Sequence, residues 1–167
     1  MSIFRFCYFM DYEEGKMARV ETTGEYELPV NIHIDNADEI EDFQEEYCKI
    51  EVCGIGNNIL IYSSEEDYNA ADSKMAVISM IPMGTFPVDP DDNTFEQSPH
   101  ILFTGKVLDV EWDSSADDDE PNCCILIETL GMMINLYIRC NAPIDEGYIV
   151  HGVAWLFGDL KNNIVGN

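Results

Sequence analysis

Positive charge is scarce in this chain. Eight lysines and arginines stand against 33 aspartates and glutamates in 167 residues, a formal net charge of -25. The basic residues (Arg5, Lys16, Arg19, Lys49, Lys74, Lys106, Arg139 and Lys161) are scattered singly among acids. A groove that tracks phosphates cannot be assembled from them, so nucleic acid and anionic membrane are excluded as partners, whereas basic surfaces are attracted from a distance. Long apolar runs are missing too. Nothing approaches the roughly 18 apolar residues that cross a bilayer. Near the start, Arg5 is followed only by Phe6 to Met10 before Asp11, Glu13 and Glu14, which is not a secretory leader. The expectation is a cytoplasmic protein with no membrane partner.

The motifs of common chemistries are equally absent. There is no Walker loop, no G-x-S-x-G elbow and no His-Glu-x-x-His. Histidines are few and dispersed (His33, His100 and His151), and His151, in an apolar stretch beside Gly152, reads as a satisfied core or barrel-mouth residue. The six cysteines (Cys7, Cys48, Cys53, Cys123, Cys124 and Cys140) contain no Cys-x-x-Cys pair, and several lie in apolar runs, as reduced core thiols do. With 33 acids, some carboxylate pair always falls at a plausible distance, so carboxylate pairs identify no catalytic site. The sequence therefore names no catalytic residue, no metal ligand and no cofactor.

What is present is a core. Hydrophobic residues make up 46 % of the chain, with eight Phe, eight Tyr and two Trp, which disordered acidic chains do not carry. The length suits one domain over residues 1–167. A possible sub-division into 1–97 and 98–160 lies near Pro82, Pro87, Pro90 and Pro99, among Asp89, Asp91 and Asp92. Ser2 to Met10 reads as a strand, and Val20 to Ile34 as strand pieces broken at Gly24 and Pro29. Asn36, with Glu39 three residues on and Ile40, Phe43 and Tyr47 at helical spacing, predicts a capped helix whose other face is acidic. Ile50 to Cys53 and Ile59 to Tyr62 read as strands about a turn at Gly54 to Asn58, and Ser64 opens a short helical stretch.

The last third is the most regular. Strand patterns run over Ile101 to Trp112, with a bend expected at Gly105, then over Cys123 to Thr129, Met132 to Cys140, and Tyr148 to Phe157 with a break at Gly152. Strands with glycine corners are what a small closed barrel needs. The expected fold is α+β and mostly β. A five-stranded OB-like barrel occupies the C-terminal part, with N-terminal strands and one or two short helices packed on it.

Two loops have a superficial chemical flavour. Gly54-Ile55-Gly56 has Ile59 where a dinucleotide loop has glycine, so a turn is expected. Asp89, Asp91, Asp92, Asn93 and Glu96 resemble a calcium loop, but Thr94 and His100 occupy the positions that demand glycine and a carboxylate. Both that loop and Asp117 to Glu120 read as solvated acidic loops. Trp112, Tyr148, Trp155 and Phe157 read as core or, alternatively, as a binding patch. The leading expectation is a non-enzymatic acidic interaction protein that binds a basic protein surface, such as a toxin-neutralising inhibitor or a nucleic-acid mimic. The expected contact residues are Glu41, Asp42, Glu45 and Glu46 on the helix and Asp117, Asp118, Asp119 and Glu120 in the loop. The alternative is a small barrel that binds a ligand or carbohydrate, or hydrolyses one, in a pocket lined by Trp112, Tyr148 or Trp155.

Overall fold

The computed structural model describes residues 2–40, 42–71, 76–82, 87–89, 94–95 and 98–162. Strands dominate. In chain order they are β1 (Ser2–Tyr12), β2 (Gly15–Thr22), β3 (Pro29–Ile34), β4 (Tyr47–Ile50), β5 (Cys53–Tyr62), β6 (Ser79–Ile81), β7 (Pro87–Asp89), β8 (Thr94–Phe95), β9 (His100–Trp112), β10 (Cys123–Thr129), β11 (Met132–Ile138), β12 (Ile149–Gly158) and β13 (Leu160–Asn162). A single 3₁₀ turn, Ala37–Glu39, and one short helix, α1 (Glu65–Ala70), complete the elements of the described residues.

Five strands close into a barrel. Strand β9 pairs with β10, β10 with β11, β11 with β5, β5 with β12, and β12 returns to β9. All pairings are antiparallel except β11–β5. Counting β9 as first, β12 as fourth and β5 as fifth, the cyclic order is 1-2-3-5-4, with the third and fifth strands parallel. That is the strand diagram of an OB barrel. Four of its strands come from the C-terminal part and the fifth from residues 53–62.

Outside the barrel the N-terminal strands repeat the same diagram. Strand β1 pairs with β2 and β2 with β3. Strand β3 pairs in parallel with the end of β12, β13 pairs with β4, and β4 returns to β1. The fifth position of this ring is filled by residues 157–162, and its 3₁₀ turn lies between the third and fourth strands. Each ring thus takes its fifth strand from the other half of the chain. One long antiparallel ribbon joins them, in continuous register from Cys48↔Asn162 through Ile50↔Leu160 and Cys53↔Phe157 to Asn57↔Val153. Where the ribbon passes between rings the backbones nearly touch, and a Cβ on Gly158 would stand 2.6 Å from the Glu51 carbonyl oxygen. Glycine is the residue that permits this approach.

Inward-facing positions supply a continuous core. Phe4, Val20, Ile32 and Ile50 of the first ring and Ile101, Phe103, Ile125, Ile134 and Leu136 of the second belong to one cluster of buried residues. The alternation is strict on β11, where Met132, Ile134, Leu136 and Ile138 are buried between exposed Met133 and Tyr137. Among the described residues every buried side-chain polar atom has a hydrogen-bond partner. Thr104 Oγ1 lies 2.8 Å from His151 Nδ1 and 3.2 Å from the Tyr68 hydroxyl, so His151 is the satisfied barrel histidine its sequence context predicts.

The predicted helix after Asn36 does not form. The Asn36 side chain is engaged elsewhere: its amide donates to the Leu160 carbonyl and its oxygen accepts from the Leu160 N–H, both at 2.9 Å. It therefore makes no capping bond, and only the 3₁₀ turn results. Carboxylates three and four residues apart (Asp38, Asp42, Glu45 and Glu46) also oppose a helix. Phe43 instead anchors the segment on Phe6, with ring centroids 5.0 Å apart. The predicted turn at Gly54 to Asn58 is likewise absent, because these residues are the middle of β5. Their glycines serve close packing, Gly54 against Ile134 and Leu136 and Gly56 against Ile138. The irregularity expected at Gly105 falls between Val107 and Asp109, while Gly105 lets the Glu128 carbonyl come close. Ser64 does cap α1, accepting from the Asp67 N–H at 3.1 Å. The break at Gly152 is present as a register shift between His151 and Val153.

Candidate partner-binding surface on the shared ribbon

Strand alternation on β12 buries Val150, Ala154 and Leu156, which turns His151, Val153, Trp155 and Phe157 outward. An exposed sheet face ordinarily carries polar residues there. Here the outward residues of neighbouring strands extend the apolar surface: Ile55 opposite Trp155 on β5 and Tyr137 opposite Ile55 on β11. The result is a row of rings across both halves. His33 lies 5.1 Å from Trp155, Trp155 5.7 Å from Phe157, and Phe157 6.5 Å from Tyr137 with the two rings nearly parallel. Tyr12 continues the row beyond His33 at 6.4 Å. Ile55 is 48 % exposed and Tyr137 38 %, while Tyr12, His33, Trp155 and Phe157 are half-buried, so the row reaches solvent most fully at its Tyr137 end.

Acids stand beside this band at Phe157 and at Tyr137. A depression of about 220 Å³ is lined by Asp35, Glu51, Cys53, Phe157, Gly158, Asp159 and Lys161. Another of about 400 Å³ is lined by Glu111, Trp112, Asp113, Pro121, Cys123, Cys124 and Tyr137. In OB barrels the face of strands two and three, with the loop between strands one and two and the junction of strands four and five, is the usual ligand face. In the closed barrel these features are β10 and β11, the loop 113–122, and the ribbon crossing. The band and both depressions lie on them.

The electrostatics follow the same layout. Burial, with the negative charge of Glu51, pushes the Cys53 thiol up to about 11. Burial likewise raises Cys124 and the Tyr137 hydroxyl beside it. These groups stay protonated at neutral pH, and none is an activated nucleophile. Asp113 is held below its ordinary range by hydrogen bonds from the Ser115 hydroxyl, at 2.6 Å, and the Ser115 N–H, at 3.0 Å. Its charge at the rim is secure. Several of the chain's cations already face its own acids: Arg5 with Glu21 at 2.6 Å, Lys106 with Glu65 at 3.8 Å, and Arg139 with Asp118 at 3.7 Å.

Glu41 lies outside the described residues. Asp42, Glu45 and Glu46 are exposed, on an irregular segment rather than a helix face. Asp42 and Glu45, with Asp38 and Glu39, border an open depression of about 520 Å³ lined also by Ile40, Phe43 and Gln44, which Glu46 does not reach. Asp117, Asp118, Asp119 and Glu120 are exposed in the loop after β9, far along the chain and on the other ring. That loop is framed by Arg139, whose guanidinium donates to the backbone carbonyls of Asp117 at 2.6 Å and Glu120 at 2.7 Å. The three aromatics do not share a pocket. Trp112, 48 % exposed, lines the larger of the two band depressions, and Trp155 lies in the band. Tyr148 precedes the opposite end of β12 and packs against the core. The calcium-like loop falls mostly outside the described residues.

Tyr137, Ile55, Asp35, Glu51 and Asp159 carry no sequence signal of their own. The readable signal is on β12, where both alternating faces are free of charge in a chain one quarter charged. Comparison with family models, with curated proteins and with solved structures finds no match. No helix among the described residues is long and apolar enough to cross a membrane.

Proposed function

We propose that the protein is a non-enzymatic acidic interaction module whose partner is a basic protein surface, with inhibition of a nucleic-acid-acting protein as its concrete form. The observation that carries this reading is the aromatic band with carboxylate-lined depressions beside Phe157 and beside Tyr137. An apolar centre with a charged rim is the anatomy of a protein interface. Carboxylates on a rigid β framework offer the anionic pattern that a nuclease or nucleic-acid groove is built to receive. The depressions are open, whereas a small-molecule site buries most of its ligand. The acids are spread over loops of both rings, which suits long-range attraction and fast encounter.

Capture from a lysate, washed at low and then high salt, tests this reading. The expected result is a small set of basic proteins, retained at low salt, released at high salt, and able to exchange the module for nucleic acid. Retention that salt does not affect, or an empty column, contradicts it and shifts the weight to a small-ligand barrel.

A further inference from the structure

We propose that the band formed by Trp155, Phe157 and Tyr137 seats an extended, arginine-bearing segment of the basic partner. The guanidinium planes stack on the rings, and their charge is met by the flanking carboxylates. This inference rests on the acidic-module reading and adds where and how the partner is held.

Four observations lead to arginine. First, the band is free of acids in a chain that has 33 of them, while Asp35, Glu51 and Asp159 outnumber Lys161 in the depression beside Phe157, and Glu111 and Asp113 line the one beside Tyr137. A cation drawn by such a rim reaches ring faces, and guanidinium stacks on them where the more hydrated ammonium of lysine does not. Second, the ring spacings of 5.7 Å from Trp155 to Phe157 and 6.5 Å from Phe157 to Tyr137 approach the ~6.6 Å between alternate side chains of an extended chain. Arginines at alternate positions of one strand-like segment therefore meet two neighbouring rings at a time, the three rings turning at Phe157 because Trp155 and Tyr137 both lie opposite Ile55. Third, the chain already shows the contact in small, with the Arg19 guanidinium 5.8 Å from the ring centre of Tyr8 on the first ring of strands. Fourth, the net charge of -25 opposes the other occupants: a second copy of the chain and nucleic acid are both repelled.

The test uses two peptides of equal length and charge, one alternating arginine with serine and one alternating lysine with serine. The chain has two tryptophans, so Trp112→Phe leaves Trp155 as the sole fluorescent reporter in the band. The arginine peptide is expected to bind roughly threefold to tenfold more tightly than the lysine peptide and to shift Trp155 emission. Phe157→Ala and, separately, the more exposed Tyr137→Ala are expected to remove that preference while keeping the residual charge-driven binding. Having two variants guards against one that fails to fold, which far-ultraviolet circular dichroism detects. Equal affinities with silent Trp155 emission would overturn the arginine seat and leave the acidic-module reading standing. No binding of either peptide at low salt would overturn both.

Discussion

At the scale of single residues, the chain's chemistry is one of groups held in their neutral or paired forms. Burial sets the thiols: Cys48 is pushed up to about 12 and Cys123 to about 11, with Cys53 similar. An unfolded thiol titrates near 8.5. Above that pH the unfolded chain loses thiol protons that the folded chain retains. Folded stability is therefore fully present below about pH 8.5 and falls as pH rises toward 12. Urea unfolding across this window is expected to show the decline, and Cys48→Ala to flatten its upper part at a constant cost for the lost buried volume. A stability curve unchanged by the substitution would show that Cys48 does not contribute. Such residue-level behaviour was partly legible: apolar runs marked several of the cysteines as core thiols without saying which, Cys48 lying between Tyr47 and Lys49, and a β-context marked His151 as satisfied. The partners of Asn36 were not legible, because Leu160 lies 124 residues away and only the folded ring brings the two together.

At the scale of elements, the two rings of strands stand or fall with the ribbon between them. Gly158 is its narrowest point. Gly158→Ala forces a Cβ onto the Glu51 backbone and is expected to cost roughly 2–3 kcal/mol, as overpacked sites do. Gly24→Ala, at a position with nothing within 4 Å, is the control and should be near neutral in the same denaturation experiment. Because each ring is completed by the other half of the chain, the amides of residues 48–57 and 153–162 are expected to exchange with solvent together, in the slowest class. Separate exchange of the two stretches would contradict a shared ribbon. The C-terminal strands were readable, since β9 to β12 are runs rich in apolar and β-branched residues punctuated by Gly131, at φ +84°, and by Gly147, at φ +87°. The barrel's fifth strand was not, because Gly54 and Gly56 look locally like a turn and only the proximity of Ile134, Leu136 and Ile138 explains them as strand residues. The helix after Asn36 was misread for the converse reason: its local pattern is helical, but Phe6 and Leu160 capture the residues that would begin and anchor it.

At the scale of the whole molecule, charge decides both stability and encounter. Self-repulsion at -25 opposes the compact state and is screened by salt, with a Debye length of about 10 Å at 0.1 M. The melting temperature is therefore expected to rise from low to moderate ionic strength, and a flat or falling response would argue against a surface dominated by like charge. Composition made this level legible from the start. It could not show that the uncharged aromatics gather on the ribbon, since that depends on outward positions of β11 and β12 meeting across β5. Neutralising the loop with Asp117→Asn, Asp118→Asn, Asp119→Asn and Glu120→Gln removes charge while leaving its frame, because Arg139 holds that frame largely through backbone carbonyls. The most direct measurement is the association rate of a captured basic partner with the native protein and with this variant, across ionic strength. The rate for the native protein is expected to fall steeply with salt, and that for the variant to be slower with a flatter dependence. A rate indifferent to both salt and loop charge would contradict charge-driven encounter.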